Sequence, residues 1–177
     1  TQPKFRPDTV NQAIENGKGA NEGFARSLKF VEGWLTKADS ASGLIPTNLT
    51  KSIDVWEPHN SGADNYPFMV LTTYLLDKDL FNGKMREMLE TEKKLTSRVK
   101  SLPDIYSFSK QNFLSDELKM NQVIFGTSEY IKDGLIPLTE YLGKSPWQER
   151  MMEMLTDLEP FLLKTDILET IFSERPA

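Results

Sequence analysis

A chain of 177 residues, 38% of them hydrophobic and 27% charged, has enough apolar mass for one self-supporting core and lies outside the regime of disordered chains. A net charge of -5 argues against nucleic-acid partners, because the densest basic cluster, Lys93, Lys94, Arg98 and Lys100, is interleaved with Glu87, Glu90 and Glu92 and reads as a solvated helix face. The absence of cysteine rules out a disulfide framework, a thiolate nucleophile and a thiolate metal site, and no apolar run reaches the roughly 18 to 20 residues of a membrane helix.

The N-terminus lacks the regions of a signal peptide, and the chain begins at Thr1, not at Met, which predicts a processed or trimmed N-terminus and leaves open an export signal ahead of it, compatible with the expected extracytoplasmic (periplasmic or secreted) location. Residues 9–16 read as a short helix capped by Asp8, and Gly17 and Gly19 separate it from a second helix over 20–38. In that second helix Phe24, Leu28, Val31, Trp34/Leu35 and Ala38 recur every three to four residues.

From Ser40 to Asn65 periodicity gives way to Gly, Pro, Ser, Asn and Asp, which predicts a long polar loop. Connections beyond about 12 to 15 residues are uncommon in compact domains and are usually functional or disordered. Leu44, Ile45, Val55 and Trp56 inside it predict a packed loop.

Tyr66 to Leu76 is apolar on nearly every side and is expected to lie inside the protein, with Asp64 or Asn65 as its cap and Pro67 in its first turn. Asp79 is expected to cap a surface helix whose stripe is Phe81, Met85, Met88/Leu89, Leu95 and Val99. After an irregular stretch, 101–115, a helical pattern resumes through Met120, Val123, Thr127, Tyr130, Leu135, Leu138 and Leu142. Pro137 should kink or restart this helix near Gly134.

Gly143 is a C-terminal cap, and Ser145-Pro146-Trp147-Gln148 is a capping box that opens a helix through Leu158, ended by Pro160. Asp166 and Glu169 would cap a last short helix through Phe172. No segment alternates long enough to demand a sheet, so the fold class is all-α. The alternation of a buried helix with a surface helix predicts antiparallel helical hairpins in inner and outer layers, within a single domain spanning 1–177.

A single histidine, His59, excludes two-histidine metal motifs, and there is no phosphate-binding loop or nucleophile elbow. His59 with Asp54 and Glu57 is an oxygen-and-imidazole set of the kind that ligates metals, yet spacing inside a loop fixes no geometry, so neither a metal nor a cofactor is expected. Asp54, Trp56, His59, Asp64 and Asn65 bring carboxylates, amides and an aromatic plane to the mouth of a buried helix. Sugars need such groups: directional partners for hydroxyls, and a ring for the apolar face of a pyranose. Capping by Asp64 and core filling by Trp56 are the structural alternatives.

Glu129 and Asp133 lie four residues apart on one helical face, and a carboxylate pair is what glycoside hydrolysis requires. Lys132 offers a simple ion-pair alternative. Asp64, Glu129 and Asp133 are therefore the candidate catalytic residues, with Asp54, Trp56, His59 and Asn65 as candidate substrate-binding residues.

Gly33-Trp34-Leu35, Ser42-Gly43-Leu44-Ile45-Pro46, Trp56 and Ala63-Asp64-Asn65-Tyr66-Pro67-Phe68 together resemble the opening of the six-hairpin (α/α)-toroid glycosidase-like proteins. The string Gly126-Thr127-Ser128-Glu129-Tyr130-Ile131-Lys132-Asp133-Gly134-Leu135 resembles a second segment of bacterial, exported members of that type. The resemblance implies inner and outer helices with polar loops forming a carbohydrate cleft at one end of the inner layer. This chain would supply about half of such a toroid, with a carbohydrate as ligand and either a homo-oligomer or a C-terminal half completing it. The functional expectation is a glycoside hydrolase-like protein; the alternative is a non-catalytic carbohydrate-binding or protein-interaction scaffold.

Overall fold

The computed structural model describes residues 7–162 and is mostly helical, with five helical rods among the described residues. The first is α1 (Pro7–Leu35). The others are π1 (Pro58–Asn65) running into α2 (Tyr66–Leu76); α3 (Lys78–Leu80), π2 (Phe81–Met85) and α4 (Arg86–Thr96); α5 (Met120–Glu129), π3 (Tyr130–Leu135) and α6 (Ile136–Leu142); and α7 (Pro146–Leu162). No helix among the described residues is long and apolar enough to cross a membrane. The expected cap of a last helix at Asp166 and Glu169 lies outside the described residues.

α1 is one helix and not two. Each glycine costs a helix up to about 1 kcal/mol relative to alanine, but side chains clip the turns on either side of Gly17 and Gly19. Gln12 donates to Asn16 at 3.0 Å, Lys18 pairs with Glu15 at 2.8 Å and Arg26 pairs with Glu22 at 2.6 Å.

Between α1 and π1 the chain is irregular but packed. Gly43, at φ +72°, closes a turn in which its N–H donates to the Asp39 carbonyl at 2.7 Å, and Leu44 and Ile45 are fully buried. The irregular stretches hold two small sheets of strands two or three residues long. β1 (Val55–Trp56) pairs antiparallel with β4 (Tyr106–Ser107), which pairs with β5 (Asn112–Phe113), while β2 (Ser97–Val99) pairs with β3 (Leu102–Pro103).

The loop predicted to reach Asn65 ends earlier, because helical structure begins at Pro58. Neither Asp64 nor Asn65 is therefore a cap; Asn65 is itself helical (φ -75°, ψ -46°) and its side chain makes no capping bond. Pro67 sits inside a continuous rod. A proline there clashes with the carbonyl four residues back in an α-helix; the π stretch removes the conflict, since the Tyr66 N–H reaches the Ser61 carbonyl five residues back. The same solution recurs at Pro137, where the Ile136 N–H bonds to the Ile131 carbonyl and the rod continues without the expected restart.

Asp77, not Asp79, caps the next rod, accepting from the Asp79 and Leu80 N–H groups. Gly143, at φ +61°, ends α6, and Ser145 Oγ accepts from the Gln148 N–H at 3.4 Å, as the capping pattern predicted. Pro160 lies inside α7, in its last turns, and the helix runs on to Leu162.

The rods over 58–76 and 120–142 lie side by side and run in the same direction: Pro58 meets Gly126, Gly62 and Ala63 meet Gly134, and α2 packs on α6. Each is followed, after a short turn, by a rod that packs back against the core, and these two, α4 and α7, also touch. α2 is not buried all round. Tyr66, Met69, Val70, Thr72 and Thr73 face the core, while Phe68 and Leu75 are exposed.

Two buried polar nodes tie the layers. The Tyr66 hydroxyl donates to the Met85 carbonyl at 2.7 Å and accepts from Trp147 Nε1 at 2.8 Å, beside Phe81 stacked on Trp147 at 5.2 Å. Arg150 and Glu92, both almost fully buried, pair through Nη2–Oε1 at 2.7 Å and Nε–Oε2 at 3.1 Å. Arg150 Nη1 also donates to the Ser101 carbonyl at 2.8 Å, which pins the β2–β3 turn to α7.

Candidate functional site

The two same-direction rods form a seam, and its chemistry follows from which residues their helical periods bring to the surface. On one rod Phe125, Glu129 and Asp133 recur every four residues, so they share a face. On the other, π1 carries His59 and Asp64. The His59 and Phe125 rings meet across the seam with centroids 5.9 Å apart, and Phe125 is 57% exposed.

Asp64 lies within electrostatic reach of both carboxylates of the neighbouring rod. Its carboxyl, exposed at its tip but partly desolvated by the seam, is raised above the ordinary value, first by that desolvation and next by the negative charge of Asp133; the His59 imidazole opposes the shift and Glu129 adds to it.

Lys132 holds the other two in place, with Nζ 2.7 Å from Glu129 Oε1 and 3.3 Å from Asp133 Oδ2. Hydrogen bonds to these two carboxylates raise the Lys132 ammonium above its ordinary range. His59 Nε2 stands 3.5 Å from Glu57 Oε1, a carboxylate that also accepts from Asn60. The seam therefore offers three carboxyl groups, one ammonium paired with two of them, an imidazole and an exposed aromatic ring.

The other candidates lie elsewhere. Trp56 is 2% exposed and packs edge-on against Tyr130 at 6.1 Å, so its ring fills the core and presents no face to solvent. Asp54 is a turn residue on the small sheet. It accepts from Ser107 Oγ at 2.8 Å, Ser109 N at 2.9 Å and Ser109 Oγ at 2.7 Å, and these hydrogen bonds, led by those from the two serine side chains, hold its carboxyl below the ordinary value. Asn65 is half-buried next to Asp64.

Phe125 is the residue that sequence reasoning passed over. Phe125 carried a usable signal, because it stands four residues before Glu129 on the face already singled out. Among the described residues no three His, Asp or Glu side chains are placed to hold a metal ion.

A groove of about 940 Å³ lies away from the seam, lined by Lys93, Ser101, Arg150, Glu153 and Asp157 among others, and takes in none of the three candidate carboxylates. Its charges pair internally, with Lys93 on Glu153 at 2.6 Å and Lys100 on Asp157 at 3.3 Å. No protein-family model, curated protein or solved structure matches this chain.

Proposed function

We propose that this chain is part of an (α/α)-toroid, glycosidase-like protein and that the seam of Asp64, Glu129 and Asp133 is where it meets carbohydrate. The observation that carries the reading is the raised Asp64 carboxyl within electrostatic reach of Glu129 and Asp133, the two carboxylates that Lys132 bridges at 2.7 and 3.3 Å. Glycoside hydrolysis uses one carboxyl kept protonated to assist the leaving oxygen and another kept ionised as base or nucleophile. In this assignment Asp64 is the acid, and Asp133 or Glu129 is its ionised counterpart.

The packing supports the toroid part of the proposal. Two neighbouring rods that run the same way, each followed by a rod packed outside it, are what adjacent inner helices of such a ring require. Phe125 supplies the apolar plane on which a pyranose face rests, the role the sequence had given to Trp56. An extracytoplasmic location accompanies a polymeric glycan substrate, and cell fractionation checks it.

One observation favours binding without hydrolysis: the seam is open, with Asp64 and Asp133 exposed, and water exclusion sharpens acid–base chemistry. A glycan panel separates the readings. Hydrolysis predicts turnover that falls by roughly 100-fold or more in Asp64→Asn, with no loss of stability relative to the parent. Binding without turnover, weakened by Phe125→Ala, selects the second reading. Neither turnover nor binding on any glycan overturns both.

A further inference from the structure

Phe125 is the exposed ring of the seam, and with 57% of its surface in solvent it has few contacts to fix its plane. One of those contacts is built from the backbone outward. A Cβ at position 126 would lie 2.5 Å from Pro58 Cγ, so the glycine there lets Pro58 settle directly on α5. The neighbouring residue on each rod then meets its counterpart: the His59 and Phe125 rings stand 5.9 Å apart, tilted by 57°.

His59 is flanked on another side by Glu57, a carboxylate that is itself held still. The Glu57 N–H donates to Ser61 Oγ at 3.2 Å, its carbonyl accepts from the Gly62 N–H at 3.2 Å, and its Oε1 accepts from Asn60 Nδ2. The Glu57 side chain is 13% exposed, and His59 Nε2 stands 3.5 Å from Oε1, too far for a good hydrogen bond. A neutral imidazole gains little at that distance. An imidazolium gains a charge-assisted partner by closing it.

We propose that His59 is a pH-dependent latch for Phe125: on taking up a proton it is drawn onto Glu57 and fixes the Phe125 ring in the plane on which a pyranose rests. A cation within about 6 Å of an aromatic centroid is attracted by the quadrupole of the ring, so a single proton strengthens both contacts. The charged groups that share the seam with the imidazole are Glu57 and Asp64 on its own side and Glu129, Lys132 and Asp133 on the neighbouring rod. Four carboxyl groups stand against one ammonium, a set that a positive imidazole complements. His59 is thus a positioning residue, and Phe125 is the one that touches the sugar. The latch stands on the ring and carboxylate geometry; its effect on affinity rests on the carbohydrate reading.

Nuclear magnetic resonance of the full chain tests it, because His59 is the only histidine and its signals titrate without overlap. Between about pH 8 and pH 5, where imidazoles change charge, the side-chain order of Phe125 is expected to rise in step with protonation of His59. Loss of signals in Phe125→Leu identifies the ring. The rise should vanish in His59→Gln and shrink in Glu57→Gln, both folded, with melting temperatures at pH 8 close to the parent. A glycan that binds the parent should bind about two- to fivefold tighter at pH 5 than at pH 8, and His59→Gln should remove the difference. A Phe125 ring whose order ignores the His59 titration overturns the latch and leaves the carbohydrate reading to the glycan panel. A ring that follows the titration in a chain that binds no glycan at either pH upholds the latch and overturns the carbohydrate reading. A glycan bound equally at both pH values overturns the role of the latch in binding.

Discussion

Gly134 stands against the backbone of Gly62: a methyl group added to Gly134 would lie 3.0 Å from the Gly62 carbonyl oxygen and 3.2 Å from the Ala63 Cα. This contact fixes how closely the two same-direction rods approach, and so how closely Asp64 comes to Asp133. Backbone cannot rotate away as a side-chain tip can. Gly134→Ala is expected to destabilise the protein by about 1–3 kcal/mol, as overpacking does, in urea denaturation. Gly83→Ala is the control: nothing lies within 4 Å of its added methyl group, so it should be neutral or stabilising.

The Arg150–Glu92 pair predicts a strongly non-additive cycle. Arg150→Met leaves Glu92 buried without a counter-charge, a change that costs about 3–5 kcal/mol. Arg150→Met combined with Glu92→Leu removes both charges and should cost markedly less than either single variant. Denaturant midpoints of the four proteins measure this, and equal, additive losses would show that the pair is solvated.

Two of the buried tyrosines, Tyr66 and Tyr130, should respond differently to loss of their hydroxyls. Tyr66→Phe strands Trp147 Nε1 and the Met85 carbonyl, and is expected to cost about 1–3 kcal/mol. The Tyr130 hydroxyl is buried with no hydrogen-bond partner among the described residues, so Tyr130→Phe should be nearly neutral or stabilising. Thermal melts of the two variants against the parent decide it.

Asp64 gives a signed pH dependence. Its carboxyl is raised in the folded chain above the ordinary 3.8, so the fold favours the protonated form. The favourable contribution is complete at low pH and is lost as pH rises through the shifted range, where ionisation sets the new charge against Asp133 and Glu129. Asp64→Asn should therefore match the parent at pH 3 and become relatively more stable above it. Asp157 behaves oppositely: hydrogen bonds from Ser101, aided by Lys100, lower its carboxyl, so its contribution is present above 3.8 and lost as pH falls. Melting temperatures from pH 3 to 7 for Asp64→Asn and Asp157→Asn should diverge from the parent with opposite signs.

Much of the helical layout was legible because apolar periodicity is a local signal. The stripes through Met120–Leu142 and Trp147–Leu158, the Gly143 stop and the Ser145 cap all appear where pattern and cap chemistry put them. Pro58 to Asn65 was not legible as helix, since His-Asn-Ser-Gly-Ala-Asp-Asn is rich in turn formers. What makes it helical is distant: Gly62 packs on Tyr130 and Gly134, more than sixty residues away in sequence. Tertiary packing of this kind outweighs propensity.

The same non-local contacts bring Asp64 into reach of Glu129 and Asp133, a juxtaposition that sequence spacing cannot state. The buried place of Trp56 and the exposed place of Phe125 were illegible for a related reason. A tryptophan in a polar loop reads as exposed and a phenylalanine in an amphipathic helix reads as core, yet β1 carries Trp56 under π1 while the four-residue period carries Phe125 outward.

The central claim, that the seam meets carbohydrate, is tested most directly by calorimetric titration of a glycan panel into the full chain and into Phe125→Ala and Asp133→Asn. The account predicts saturable binding of at least one glycan, weakened by roughly tenfold or more in both variants, with melting temperatures close to the parent. A glycan that binds the parent and both variants equally, or no binding by the parent to any member of the panel, would contradict it.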